Sequence, residues 1–181
     1  WAQQWVDSAQ LSPHLKRAVI APEDDGFASH MGVDWAAMES AWSRNRQQAQ
    51  RAGVGGPNPP PRIRGGSTIT QQLAKNLLLS GERQLARKAQ EMVLSYLLEA
   101  FLSKQRILEI YLNSVEWGDG VFGAEAAAQR YFGVSASRLS AEQAARLAVM
   151  LPAPKTFERR PTSAYLNRRT ATILVRMPSA V

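Results

Sequence analysis

The chain has 181 residues, 45% hydrophobic and 20% charged, the balance of a globular protein with room for one substantial core. Its formal net charge of +7 points to an anionic partner: nucleic acid, anionic lipid headgroups or a phosphorylated substrate. With no cysteine, disulfides and thiolate zinc sites are excluded, and two histidines, His14 and His30, are too few for a His-based metal cluster.

No window reaches the roughly 18 to 20 apolar residues that a membrane-crossing helix needs. Trp1-Ala-Gln-Gln-Trp5 is neither basic nor continuously apolar, so it is no signal peptide. A chain that opens on Trp reads as an excised piece and leaves room for an anchor upstream of Trp1.

Ser12-Pro13 predicts a helix start, with Leu15, Ala18 and Val19 on its apolar side and a stop before Pro22. Asp34 caps a second helix through about Gln50, with Trp35, Met38 and Trp42 along one side. Residues 53–65, dense in Pro and Gly, read as a flexible loop inside one domain. Residues 65–76, GGSTITQQLAKN, have too little apolar content for a core; Thr68 with Gln71 forms a capping box, so a helix starts here. Its free N–H groups and positive dipole end would face whatever Ser67, Thr68 and Thr70 surround, with Lys75 and Asn76 a turn or more beyond.

From Leu85 to Asn113, apolar residues recur at steps of three and four (Met92, Tyr96, Ala100, then Ile107, Leu108, Tyr111, Leu112), with a break at Ser103. An alanine-rich helix spans Ala124 to Phe132 and closes near Gly133. Ser140 and Gln143 make a second capping box, opening a helix that ends at Pro152. Clear β alternation is almost absent, so the class is mainly α.

Glu23-Asp24-Asp25-Gly26-Phe27 stands out in a basic chain. Taken alone it is a solvated turn between helices; Phe27 and His30 argue instead for a turn pinned to a core, with one carboxylate in a cleft. Burial would raise that carboxylate's pKa toward values useful in proton transfer. Arg87 and Glu91 have the spacing of a surface ion pair, but Lys75 and Arg83 nearby in sequence gather positive charge that would suit a diphosphate. Gly118-Asp-Gly-Val-Phe-Gly123 matches a dinucleotide-binding pattern, yet the preceding segment reads as helix and no βαβ unit surrounds it, so a tight turn is the better reading. There is no P-loop, no GxSxG elbow, no Ser-x-x-Lys and no Asp-x-Asp.

EDDGFASHMG at 23–32, GGSTITQQLAKN at 65–76, RKAQE at 87–91 and KQRILEIYLN at 104–113 resemble, in order, the signature motifs of the peptidoglycan glycosyltransferases. VEWGDGVFGAEAAAQRYFG at 115–133 resembles the monofunctional branch, and the missing transpeptidase motif agrees. The resemblance runs from about Leu11 to about Phe157. Pro22 departs from the small residue common before the Glu, and the tail after Pro154, with Arg159 and Arg160, supplies no residue to carry over.

The resemblance implies a lysozyme-like helical fold, one glycosyltransferase domain over 1–181, with a larger lobe and a smaller membrane-proximal lobe around a cleft. It implies polymerisation of lipid II: the acceptor 4-hydroxyl displaces a lipid diphosphate from the donor's anomeric carbon with inversion, giving a β-1,4 bond. Glu23 then matches the general base and Glu91 the second essential glutamate. Lys75 and Arg83 match the cations at the diphosphate. Ser67, Thr68, Gln71, Gln72 and Asn76 fall around sugar and phosphate oxygens, and Phe27, His30 and Arg87 complete the substrate-binding set. Asp24 would support Glu23, bind substrate or approach a divalent metal, Mg or Mn; no organic cofactor is expected.

The implied partners are lipid II, the growing glycan, the membrane surface and other cell wall synthesis proteins, with no nucleic acid. The implied location is the outer, periplasmic face of the bacterial cytoplasmic membrane. Two other readings are weighed beside this one. A lysozyme-like peptidoglycan-cleaving enzyme would have no use for Lys75 and Arg83 at a leaving diphosphate. A basic membrane- or nucleic-acid-binding module would be indifferent to loss of Glu23.

Overall fold

In the computed structural model, the described residues are 1–52, 66–78, 85–159 and 161–180. In chain order they form β1 (Ala2–Gln3), α1 (Pro13–Glu23), α2 (Trp35–Ala52), α3 (Ile69–Leu78), α4 (Leu85–Phe101) and α5 (Lys104–Ser114). There follow β2 (Glu116–Gly118), β3 (Val121–Phe122), α6 (Ala124–Phe132), α7 (Ala141–Met150), α8 (Pro154–Glu158) and α9 (Ala164–Arg176). The Pro/Gly segment 53–65 lies outside the described residues, as do Arg83 and Arg160.

The helix starts follow local chemistry. Ser12 Oγ accepts from His14 N at 3.2 Å, Asp34 Oδ1 from Ala37 N at 2.8 Å, and Ser103 Oγ from Arg106 N at 3.3 Å. Both capping boxes form: Gln71 N donates to Thr68 Oγ1 at 3.1 Å and Thr68 N to Gln71 Oε1 at 3.0 Å, with Ser140 and Gln143 paired likewise.

The first helix departs from expectation. It runs through Pro22 to Glu23 rather than stopping before the proline. Pro22 falls in the last turn, where its missing N–H removes one ladder bond while Asp24 N still donates to Ile20 O at 2.9 Å. This places Glu23 on the helix end, backed by the buried face of Leu15, Ala18, Val19 and Ile20.

A small sheet is the second departure. β3 pairs in parallel with β1 (Ala2 opposite Val121, Gln3 opposite Phe122) and antiparallel with β2, each strand being two or three residues long. Strands this short carry no readable alternation. The Gly118–Gly123 segment is therefore preceded by a strand, not a helix. As expected, it is a tight turn: Gly123, at φ 83°, has room for no Cβ because Asn113 O would lie 2.7 Å away. Asn113 ties the strap before α1 to this region, its amide donating to Val6 O at 2.9 Å and its Oδ1 accepting from Val6 N at 2.9 Å.

Two packing sets position the site. α7 packs against α1 and α9, and α3 packs against α4 and α5. A shared apolar core includes Leu15, Ile69, Leu73, Ile107, Leu112, Trp117, Leu147 and Leu166. Glu23 at the end of α1 meets α3 where these sets come together.

Candidate active site

Glu23 is half-buried, and its Oε2 accepts from Gln72 Nε2 at 2.8 Å. The same amide accepts, through Oε1, from the hydroxyl of Tyr111 at 2.9 Å. Burial raises the Glu23 pKa above the ordinary carboxylate value; the Gln72 hydrogen bond opposes this, the charge of Asp24 adds to it, and Lys75 opposes it. Glu23 makes no ion pair among the described residues. A carboxylate in that setting is a stronger base than an exposed one, the property a proton acceptor needs.

Two cavities meet at this carboxylate. The larger has a volume of about 1100 Å³ and runs from Asp24 and Ser67 to α7 and α9. The smaller, about 470 Å³, is lined by Asn76, Tyr111, Ser114, Glu116 and Phe122. Glu23, Gln72, Lys75 and Pro152 line both. Lys75 is exposed on α3, so its ammonium is available to a ligand in either space.

Asp24 is 7% exposed and does a different job. Its Oδ2 accepts from Ile69 N at 2.9 Å, and its Oδ1 lies 2.7 Å from His30 Nε2. The N-terminus of α3, expected to face a ligand, is thus capped by the protein's own carboxylate. Burial raises the Asp24 pKa, opposed by hydrogen bonds from His30 and from Ile69 N. With both oxygens engaged, Asp24 is poorly suited to a metal, and the described residues contain no cluster of three or more His, Asp or Glu that could hold one.

The remaining GGSTITQQLAKN residues divide. Ser67, Gln72, Lys75 and Asn76 reach cavity walls. Thr68 borders the larger cavity, but its hydroxyl donates to Gly32 O at 2.6 Å, and Gln71 is fully buried in the capping box. Phe27 is buried beneath Lys104, whose Nζ sits 4.6 Å from the ring centroid, and His30 braces Asp24. These four residues shape the site from behind.

Glu91 is 5% exposed, and its partner is Lys88 at 2.5 Å rather than Arg87. The surface pair expected between Arg87 and Glu91 is therefore replaced by a nearly buried carboxylate on an i,i+3 neighbour. Lys88 Nζ also donates to Ser67 Oγ at 3.1 Å. Glu91 itself lines neither cavity and is joined to the wall through Lys88 and Ser67.

Four site residues had no sequence signal strong enough to single them out. Tyr111 reads as one more apolar step of a helix, although a buried Tyr hydroxyl needs a partner. Lys88 was overshadowed by Arg87. Arg169 and Arg176 come from the tail; both line the larger cavity, where Arg176 also pairs with Asp25 at 3.4 Å.

Outside the cavities, α2 and α4 share an apolar exposed surface. Trp42 is 70% exposed, and Trp35 donates through Nε1 to Tyr96 Oη at 3.1 Å. Leu97 and Phe101 of α4 are exposed too, so Trp35 and Trp42 are not core residues; Met38 is half-buried. No helix among the described residues is long and apolar enough to cross a membrane.

A helical domain with a half-buried glutamate between two cavities and a lysine at its side fits glycosyl transfer. The transglycosylase family model matches residues 2–178, and the chain belongs to that family. It is 55% identical over 177 residues to the biosynthetic peptidoglycan transglycosylase of Herminiimonas arsenicoxydans, covering 98% of this chain and 72% of that protein. The protein of the same description from Bordetella pertussis is 55% identical over 174 residues, 96% of this chain and 69% of its own length. That from Nitrosospira multiformis is 49% identical over 177 residues, 98% of this chain and 72% of its own.

Proposed function

We propose that the chain polymerises lipid II into β-1,4-linked glycan strands, with Glu23 as general base. The observation that carries this reading is the position of Glu23 and Lys75 on the walls of both cavities. One cavity takes the donor and the other the acceptor. The acceptor 4-hydroxyl gives its proton to Glu23 as its oxygen attacks the donor anomeric carbon. The bond from that carbon to the lipid diphosphate breaks with inversion, and Lys75 and Arg83 take up the negative charge on the departing group.

Glu91 is a positioning residue in this scheme. It holds the Lys88 ammonium against Ser67 and so fixes the wall that the reacting groups lean on. Ser67, Gln72 and Asn76 are available to substrate oxygens, while Asp24, Phe27, His30, Thr68 and Gln71 set the frame. Arg87, half-exposed on α4, adds to the positive field. No step is routed through a divalent metal.

The apolar surface formed by Trp35, Trp42, Tyr96, Leu97 and Phe101 supports an interfacial attachment, with lipid II entering from the membrane and a smaller membrane-proximal lobe around α2. We place the domain on the outer face of the bacterial cytoplasmic membrane, where the lipid-linked substrate and other wall-synthesis proteins would be met.

The test is incubation with purified lipid II in detergent. Glycan chains and released undecaprenyl diphosphate, both lost in Glu23→Gln, support the reading. A folded protein that yields no polymer with Mg²⁺ or Mn²⁺ supplied contradicts it, and clearing of purified cell wall without polymerisation would assign the fold to glycan cleavage instead.

A further inference from the structure

We propose that Tyr111 is a positioning residue for the base, acting through Gln72: its hydroxyl fixes which end of the Gln72 amide faces Glu23. The inference deepens the role given to Glu23 above and rests on that reading. It comes from two hydrogen bonds in series. Tyr111 Oη donates to Gln72 Oε1 at 2.9 Å, and Gln72 Nε2 donates to Glu23 Oε2 at 2.8 Å.

An amide has two nearly isosteric ends of opposite hydrogen-bonding character. With nitrogen toward Glu23, the amide favours the carboxylate anion. With oxygen toward Glu23, it favours the protonated acid, because only that form can donate. A base must be unprotonated at the start of the reaction, so only the first orientation serves it.

Glu23 alone does not enforce that choice, since gaining a proton would satisfy the flipped amide. Tyr111 enforces it. Its ring is 1% exposed, and Gln72 Oε1 is the only acceptor recorded for its hydroxyl among the described residues. Flipping the amide would take away that acceptor and set the amide N–H against the phenol O–H. The hydroxyl also stays protonated, because burial and then the charges of Glu23 and Asp24 push its pKa well upward. Tyr111 is therefore a permanent donor, and the amide nitrogen is left to the base.

Titratable groups face Glu23 from each neighbouring element. Among the described residues they are Lys75 on α3, Tyr111 on α5, Asp24 and Asp25 after α1, Asp34 and Arg44 on the α2 side of the larger cavity, Tyr165, Arg169 and Arg176 across it on α9, and Glu116 across the smaller. α7 contributes Ala148 and Val149, which do not titrate. Of these, Tyr111→Phe changes Tyr111 alone, keeping the ring and removing one oxygen.

The experiment is a ¹³C-carboxyl NMR titration of the glutamates, with the Glu23 signal assigned by its loss in Glu23→Gln. Tyr111→Phe is expected to raise the Glu23 midpoint by about 0.5 to 1 pH unit, the equivalent of one neutral hydrogen bond. Gln72→Leu also raises it, and adding Tyr111→Phe to Gln72→Leu gives no further change. If Tyr111→Phe fails to fold, 3-fluorotyrosine incorporation replaces it. The stronger phenol donor then lowers the midpoint with Gln72 present and leaves it unmoved in Gln72→Leu.

An unmoved midpoint, or the same shift with and without Gln72, overturns the proposal. The titration needs no turnover. A failed polymerisation assay would therefore remove the assigned reaction while the Tyr111–Gln72–Glu23 coupling is still measured on its own.

Discussion

Glu23 hydrogen-bonds Gln72 while Glu91 reaches Ser67 through Lys88, and the two are held in opposite ways. Glu91 has an ammonium 2.5 Å away and is nearly out of solvent. Glu23 has a neutral amide, a pKa raised by burial, and two cavities open beside it. The difference teaches how one site separates tasks between identical side chains: an ion pair holds geometry, and a desolvated carboxylate with a neutral donor moves a proton.

Mutations test that division from the strongest effect down. Glu23→Gln should lower polymerisation by about 100- to 10,000-fold, read as lipid II consumption under saturating substrate. The same variant should melt about 2 to 4 °C higher at neutral pH. The sign follows from the raised pKa of Glu23 in the folded state. Its contribution to stability is present below the unfolded carboxylate value and lost as pH rises through the folded one. A neutral Gln removes that penalty, and the gain should vanish in acid.

Lys75→Ala should cost about 100- to 1000-fold in kcat by withdrawing charge from the departing diphosphate. Glu91→Gln should cost less, about 100-fold, because it acts through Lys88 and Ser67. The comparison would break if Glu91→Gln matched Glu23→Gln in rate loss and also shifted the acid limb of the pH profile. The smallest effect on chemistry and the clearest on stability belongs to Asp24→Ala. It leaves Ile69 N–H and His30 without their partner and should destabilise by about 2 to 3 kcal/mol in urea unfolding.

What could be read from sequence was what neighbouring residues decide among themselves. The capping boxes at Thr68 and Ser140 and the caps at Ser12 and Asp34 are set within four residues of chain, and all four form. The turn after Glu23, pinned by Phe27 and His30, was legible for the same reason. The choice of Lys88 over Arg87 was not, since both spacings reach Glu91 and Ser67, from another element, decides between them. Tyr111 was hidden because an apolar helix period does not say where a hydroxyl finds its acceptor. Arg169 and Arg176 reach the cavity only through the packing of α9 on α7. Strands of two or three residues have no period to detect, so the small sheet emerged only with the tertiary structure.

The most direct test compares two curves on one preparation: the acid limb of lipid II polymerisation and the NMR titration of the Glu23 carboxyl. The account predicts a Glu23 midpoint above the ordinary carboxylate value and an acid limb of kcat/KM that coincides with it, with activity rising as Glu23 loses its proton. A Glu23 that titrates as an ordinary exposed carboxylate, or an acid limb lying well away from its midpoint, would contradict Glu23 as the base.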